Sequence, residues 1–433
     1  MLLKMLYLFG YILTNQSNAG SLDTNQGRMK MQYKTVPKNG DKLSILGFGT
    51  MRLPLKGQAI DEERAIKQIR YAIDNGVNYV DSAPPYHNGE SEKLLGKALL
   101  DGYRKKVKIA TKLTPFLLNK AEDMDKMLNM QLQKLQTDHI DYYLLHGIEE
   151  EFWKKLQGFG ALEFLEEAKA DGKIINMGFS FHGSLRTFKE IIEANDWTMC
   201  QILYNFLDEK LQAGTEGLKF AASKDLAVMI MEPLRGGVLA GRLPNEVKQL
   251  YDHAKIQRSP AEWGLRWVWN HPEVTVALSG MNDESQVAEN IKVAETALPG
   301  SMKADELVVV KNVAETYRRL MKVPCTGCQY CMPCPSGVDI PGNFRLYNDY
   351  YMFGEGEQKA RTMYAMMLMG GMSGERSDAS LCKECKQCVE RCPQYIAIPE
   401  QLKLVANDLG GPKTEAILAM RKNVHTQNPA KSA

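Results

Sequence analysis

Eight of the nine cysteines in this 433-residue chain fall between Cys325 and Cys392, and only Cys200 precedes them. They form two groups, Cys325-x2-Cys328-x2-Cys331-x2-Cys334-Pro335 and Cys382-x2-Cys385-x2-Cys388-x3-Cys392-Pro393. A disulfide framework spreads its cysteines through a small secreted domain. Clustering at two-residue gaps in a long chain reads instead as metal ligation. A zinc site usually pairs two C-x2-C knuckles across a longer gap. Three cysteines at two-residue gaps wrap a compact turn around one face of a larger, cubane-shaped centre, which favours iron–sulfur over zinc. Thiolates and reduced clusters need a reducing compartment, which places the chain in the cytoplasm.

The proline after each fourth cysteine throws that residue outward. The pattern resembles two-cluster ferredoxins, in which the fourth cysteine ligates the other cluster. The resemblance implies two [4Fe–4S] clusters, one held by Cys325, Cys328, Cys331 and Cys392, the other by Cys382, Cys385, Cys388 and Cys334. Two departures stand out: x2 rather than x3 precedes Cys334, and the groups lie far apart. The stretch between them reads as helical at 349–352 and 358–369. The module therefore resembles the helical ferredoxin of succinate dehydrogenase and fumarate reductase more than the small β-type. Cys200, in an expected strand, reads as a packed core residue.

Ahead of the cysteines, short apolar runs alternate with amphipathic stretches. The runs are 45–49, 79–83, 107–112, 139–146, 174–180, 199–205, 226–233 and 274–280. The helical patterns are 60–73, 91–100, 122–135, 152–170, 185–194, 215–223, 260–270 and 284–296. Several runs are apolar at successive positions, as strands covered on both faces are. Eight strand–helix units in about 250 residues predict an α/β fold, a (β/α)8 TIM barrel. A doubly wound sheet is the alternative, but no G-x-G-x-x-G follows the first strand. The expected organisation is an N-terminal extension over 1–30, a barrel over 31–297 and a connecting helix over 298–324. A mostly α-helical ferredoxin-like domain follows over 325–422, then a flexible tail over 423–433. The extension has a short apolar run and a small-residue site at Ser17-Asn18-Ala19, and reads as non-native rather than as a signal peptide. That run is too short to span a bilayer as a helix. A formal net charge of +2 gives no electrostatic argument for nucleic acid or an anionic membrane as partner.

Barrel chemistry sits at the C-terminal ends of strands. There the sequence carries polar residues that packing alone does not want: Asp81 after the second run, then Tyr86, Lys112 ending the third and His146 ending the fourth. In this the chain resembles the aldo-keto reductase superfamily over about 31–297. That family has an Asp, a Tyr five residues later, a strand-ending Lys and a strand-ending His as its active-site tetrad. The resemblance implies that Tyr86 is the proton donor, Lys112 its activator, Asp81 the partner of Lys112, and His146 the group that orients a carbonyl. The residue types suit the task. A hydride arriving at a carbonyl leaves an alkoxide needing a proton, a phenol titrates near ~10, and a close ammonium favours phenolate.

The same resemblance implies a bound NADP or NAD. Its contacts would be Gly49, Thr50 and Met51 after the first strand, Ser180 after the fifth, and Gln201 on the sixth for the carboxamide. Met231 stands where many members place a stacking aromatic. Leu234 and Gly236 belong to a Pro-Leu-Arg-Gly-Gly pyrophosphate loop whose glycines admit an anion. Gly280, Gln286, Glu289 and Asn290 form the adenosine end. Gly280 and Gln286 stand where NADP-preferring members often carry cations, and Arg235 is the candidate to supply that charge.

The leading reading is thus an NAD(P)-dependent oxidoreductase acting on a small carbonyl or alcohol, fused to a two-cluster module. The alternatives are an electron-transfer subunit with a redox protein partner, or clusters that serve structure alone. Direct wiring meets an objection: nicotinamides deliver two electrons as hydride, a cubane accepts one, and no flavin fingerprint is present.

Overall fold

Eight parallel strands pair in chain order and the last closes on the first. We number them β1 (Leu46–Gly49), β2 (Tyr79–Asp81), β3 (Lys108–Leu113), β4 (Ile140–Ile148), β5 (Ile174–Phe181), β6 (Met199–Leu203), β7 (Ala227–Met231) and β8 (Val274–Ser279). The computed structural model describes residues 30–354, 356–372 and 374–427, with side chains described as far as 420. The expected extension over 1–30 lies outside the described residues except for Lys30.

Successive strand residues point to opposite faces, and here both faces are buried. Tyr142 and Leu144 of β4 join Tyr79, Met199, Met229 and Val276 inside the barrel. Tyr143 and Leu145, one residue out of phase, pack outward against the helices. A hairpin that the sequence reading missed, Tyr33–Thr35 against Lys42–Ser44, delivers Val36 and Leu43 to the interior cluster. It plugs the barrel beneath the strand N-termini, so the C-terminal mouth is the end left for a site.

The helices follow the expected pattern with instructive differences. Glu62–Asp74 is capped by Asp61, whose side chain accepts from Arg64 N–H, and Glu62 and Glu63 face the positive end of its dipole. Ala65, Ile69, Ala72 and Ile73 form its buried stripe. The single helix expected over 152–170 is two, Glu150–Gly158 and Ala161–Ala170. Gly160 breaks it by adopting φ 69°, which a glycine takes without steric cost. A further helix, Asn245–Asp252, falls where the sequence pattern assigned no element.

Helix Ala304–Leu320 leads out of the barrel to the cysteines. Beyond it lie helices Ile340–Phe353, Glu357–Met367, Ile398–Leu409 and Pro412–Gln427. Val323, Ile340, Phe344, Tyr364, Ile398 and Leu402 build a separate apolar core beneath the cysteines. At roughly 1.5–3 kcal/mol per fully buried side chain, this region has a core of its own and does not depend on metal alone. The last helix runs past the expected start of a loose tail at 423, since no glycine or proline interrupts 413–427, and 428–433 lie outside the described residues. Among the described residues no helix is long and apolar enough to cross a membrane.

Candidate functional site

Strands β2, β3, β4 and β6 bring Asp81, Lys112, His146 and Gln201 together at the barrel mouth, and the short turn Tyr86–Gly89 adds Tyr86. Lys112 Nζ stands 2.6 Å from Asp81 Oδ1, 2.6 Å from Ser82 O and 3.4 Å from Tyr86 OH. The Tyr86 and His146 rings meet edge to face, centroids 6.1 Å apart. Lys112 is only 1% exposed. Behind it Gln131 donates to Lys112 O and to Glu92, fixing the strand that carries the lysine. Strand β4 continues past His146 to Ile148, beyond its expected end, because the pairing with β5 slips a register there. Gly147, at φ 61°, makes the bulge and donates its N–H to Ser180 Oγ at 2.8 Å. The bulge re-aims His146, whose Nδ1 pairs with Thr114 Oγ1 at 2.9 Å.

Burial dominates the proton affinities. It lowers the Lys112 ammonium and raises the Asp81 carboxyl, while their mutual attraction opposes both shifts. Burial, then the Asp81 charge, pushes the Tyr86 phenol up. This differs from the expectation that Lys112 acidifies Tyr86: Asp81 offsets the lysine's charge, so desolvation of phenolate wins. His146 is driven well down, first by burial and then by Lys112, so its imidazole is neutral.

The residues expected to hold a dinucleotide fall in three places. At the cleft floor, Thr50 Oγ1 donates to Asp81 O at 3.0 Å, beside Gly49 and the half-buried Met51. Gln201 Nε2 donates to Asp81 Oδ2 at 3.3 Å, while its buried Oε1 has no partner. Ser180 already accepts from Gly147, and Met231 ends β7 half-buried. At the pyrophosphate loop, Leu234 packs against Gly264 in the helix Pro260–Trp269. Gly236 is covered: a Cβ there would meet Thr326 O at 2.5 Å and Arg52 Nη2 at 2.8 Å. At the adenosine end, Asn290 Nδ2 donates to Ser279 Oγ, Gln286 Oε1 accepts from Asn282 N–H, and Glu289 is half-buried. The Arg52 side chain lies along Gly280. Arg235 does not serve that end. It is 1% exposed, pairs with Asp208 at 2.8 Å and donates to Pro324 O at 3.1 Å, tying the barrel to the linker.

The cysteines line two cavities. One, of about 310 Å³, is bounded by Cys325, Cys328, Cys331 and Cys392. The other, of about 410 Å³, is bounded by Cys334, Cys382, Cys385 and Cys388, with Cys331 at the border. Among the described residues no three His, Cys, Asp or Glu side chains close on one point as a single ion needs. Thiols spread around a cavity suit a multi-iron centre, so the donor set fits a cubane in each. Burial raises the thiols of Cys325, Cys328, Cys331 and Cys392, so it is metal that would hold them as thiolates. Cys385 is exposed. Cys200 is fully buried in β6, a packed core residue.

The first cavity sits against the barrel mouth. Gln212 Nε2 donates to Pro393 O at 2.5 Å, and Tyr395 OH donates to His182 O. Arg52 donates to Thr326 O, and Thr326 Oγ1 donates to Glu232 Oε1 at 3.2 Å. Burial pushes the Glu232 carboxyl up to about 7, and its Oε2 has no partner. Tyr330 reaches the barrel mouth itself, with its OH 3.2 Å from His146 Nε2. Tyr330, Glu232, Arg52 and His182 were missed by sequence reasoning. The only signals were a carboxylate beside the pyrophosphate loop and a tyrosine between two cluster ligands.

Residues 45–305 match the aldo/keto reductase family, and residues 324–398 match the 4Fe-4S dicluster domain. The aldo-keto reductase YhdN of Bacillus subtilis is 25% identical over 328 residues, covering 65% of this chain and 94% of that protein. L-galactose dehydrogenase of Arabidopsis thaliana is 25% identical over 318 residues, covering 67% and 97%. Among solved structures, the holo form of the aldo-keto reductase AKR11C1 from Bacillus halodurans superposes with a TM-score of 0.56 at 25% identity. That match covers 65% of this chain and 96% of that one. An aldo-keto reductase from Klebsiella pneumoniae in complex with NADPH shares the fold, with a TM-score of 0.53 at 22% identity over 66% and 96%.

Proposed function

This chain belongs to the aldo/keto reductase family, and from that premise we propose that its barrel interconverts a small carbonyl and its alcohol by hydride transfer with NADP or NAD. One observation carries the reading: Lys112 bridges Asp81 and Tyr86 on the mouth that also holds His146. Tyr86, a phenol protonated at neutral pH and held more firmly so by burial, gives its proton to the developing alkoxide. Lys112 stabilises the phenolate left behind, and Asp81 holds Lys112 charged. Neutral His146 orients the carbonyl oxygen.

When bound, the reduced nicotinamide supplies the hydride. The partnerless, buried Gln201 Oε1 is a fit for its carboxamide N–H. Arg52, which lies along Gly280 and beside Gly236, would meet the phosphates. The test is Tyr86→Phe. Carbonyl turnover is expected to fall by three orders of magnitude or more, with dinucleotide binding and iron content retained. Turnover within tenfold of the parent would overturn the tetrad.

We place two [4Fe–4S] clusters in the two cavities, as accessories to this reductase in a reducing, cytoplasmic setting. When assembled, they would cross-link the cysteine segments beside the barrel mouth. A second reading, exchange with a redox protein, draws on position. One cavity adjoins the catalytic mouth, and the other carries the exposed Cys385. Anaerobic mixing with NAD(P)H and no carbonyl separates the two. Bleaching of the cluster absorbance supports exchange, and unchanged clusters beside carbonyl turnover support a structural role.

A further inference from the structure

Tyr330 stands in the turn between Cys328 and Cys331, so a cluster held by those cysteines would fix its backbone. Its ring meets two imidazoles edge to face, His146 with centroids 6.2 Å apart and His182 at 6.4 Å. A phenylalanine would make the same ring contacts. What the tyrosine adds is its hydroxyl, and that hydroxyl pairs with His146 Nε2 at 3.2 Å, beside the Tyr86 ring that meets the same imidazole edge to face. Those two groups are the ones a substrate carbonyl oxygen needs, one to orient it and one to protonate it. The base of the turn is pinned by Thr326, through its carbonyl to Arg52 and through its hydroxyl to Glu232.

We infer that Tyr330 is a substrate-site residue supplied by the iron–sulfur region: its phenol oxygen holds the place of the substrate oxygen, and a carbonyl enters by displacing it. The inference rests on the tetrad reading above. It makes entry a competition. A substrate must replace the phenol's hydrogen bonds with its own, which a carbonyl oxygen does and an apolar group does not. The side chain swings while its backbone stays, because Thr326 ties the base of the turn to Arg52 and Glu232. The cluster module thereby sets what the barrel admits.

The test uses the full chain, purified anaerobically, with propanal as probe and whichever of NADPH and NADH the parent oxidises. Tyr330→Phe and Tyr330→Leu are compared with the parent, with iron content and visible absorption as the measure of an intact module. Removing the hydroxyl is expected to lower KM for propanal about 5- to 20-fold, the scale of one or two net hydrogen bonds. The kcat should stay within about twofold and iron should be unchanged. A KM that is unchanged or raised in both variants overturns the inference. So does a fall in kcat, which would make Tyr330 a helper in catalysis, or iron loss in both variants, which would make the hydroxyl structural. Absence of turnover in parent and variants alike overturns it too. Turnover surviving in Tyr86→Phe marks failure of the tetrad reading. An unchanged KM in Tyr330→Phe beside an inactive Tyr86→Phe marks failure of this inference alone.

Discussion

Lys112 Nζ lies 2.6 Å from Asp81 Oδ1, and both side chains are almost wholly buried, at 1% and 4% exposure. Each charge is kept chiefly by the other. Taken singly, burial would strip the proton from the lysine and restore it to the aspartate.

Asp81→Asn should therefore do two things. It leaves a buried ammonium without its counter-charge, a loss of roughly 3–5 kcal/mol in unfolding free energy. It also lets Lys112 deprotonate more readily, so the limb of the kcat–pH profile that reports Lys112 moves to lower pH. Denaturant unfolding and a pH–rate series measure both. A variant as stable as the parent, with an unmoved profile, contradicts the arrangement.

Cysteine replacements test which thiols share a cluster. Cys392 lines the cavity of Cys325, Cys328 and Cys331, while Cys334 lines that of Cys382, Cys385 and Cys388. The second site carries the exposed Cys385, so a chelator should strip its iron first and give two phases in the parent. Cys334→Ser is expected to remove the fast phase and Cys392→Ser the slow one. The reverse assignment would mean that each group binds its own fourth cysteine.

Acid should loosen the contact between module and barrel. Burial pushes the His182 imidazole down to about 4, against a weaker opposing effect of Gln212. Between about pH 6.5 and 4 the unfolded chain binds a proton there that the folded chain does not, so stability falls as pH drops through that window. The loss by pH 4.5 is about 2–3 kcal/mol from this residue. Unfolding midpoints at pH 7 and 4.5 should diverge more in the parent than in His182→Asn. An equal drop in both would remove His182 from the account.

Much of this was open to the sequence alone. Apolar runs covered on both faces specify parallel strands, and eight of them with intervening helices specify a closed barrel. Asp81, Lys112 and His146 sit at strand ends, where strand polarity delivers them to one mouth, so their meeting follows from the topology. Cysteine spacing is local, and a two-residue gap constrains a turn whatever surrounds it. The strand bulge at Gly147, the breaking of 152–170 at Gly160 and the loss of Arg235 to the linker were hidden. Each depends on what a backbone or guanidinium finds to bond across the fold.

The relation between the two halves belongs to the tertiary structure entirely. Tyr330 and His146 are 184 residues apart, and no periodicity or motif couples them. Eight cysteines determined that the chain carries an iron–sulfur module, because metal ligation is written in short-range spacing. Where the module docks was decided by complementary groups gathered from distant strand ends, Arg52, His182, Gln212 and Arg235 among them. Such groups converge only once the barrel has closed.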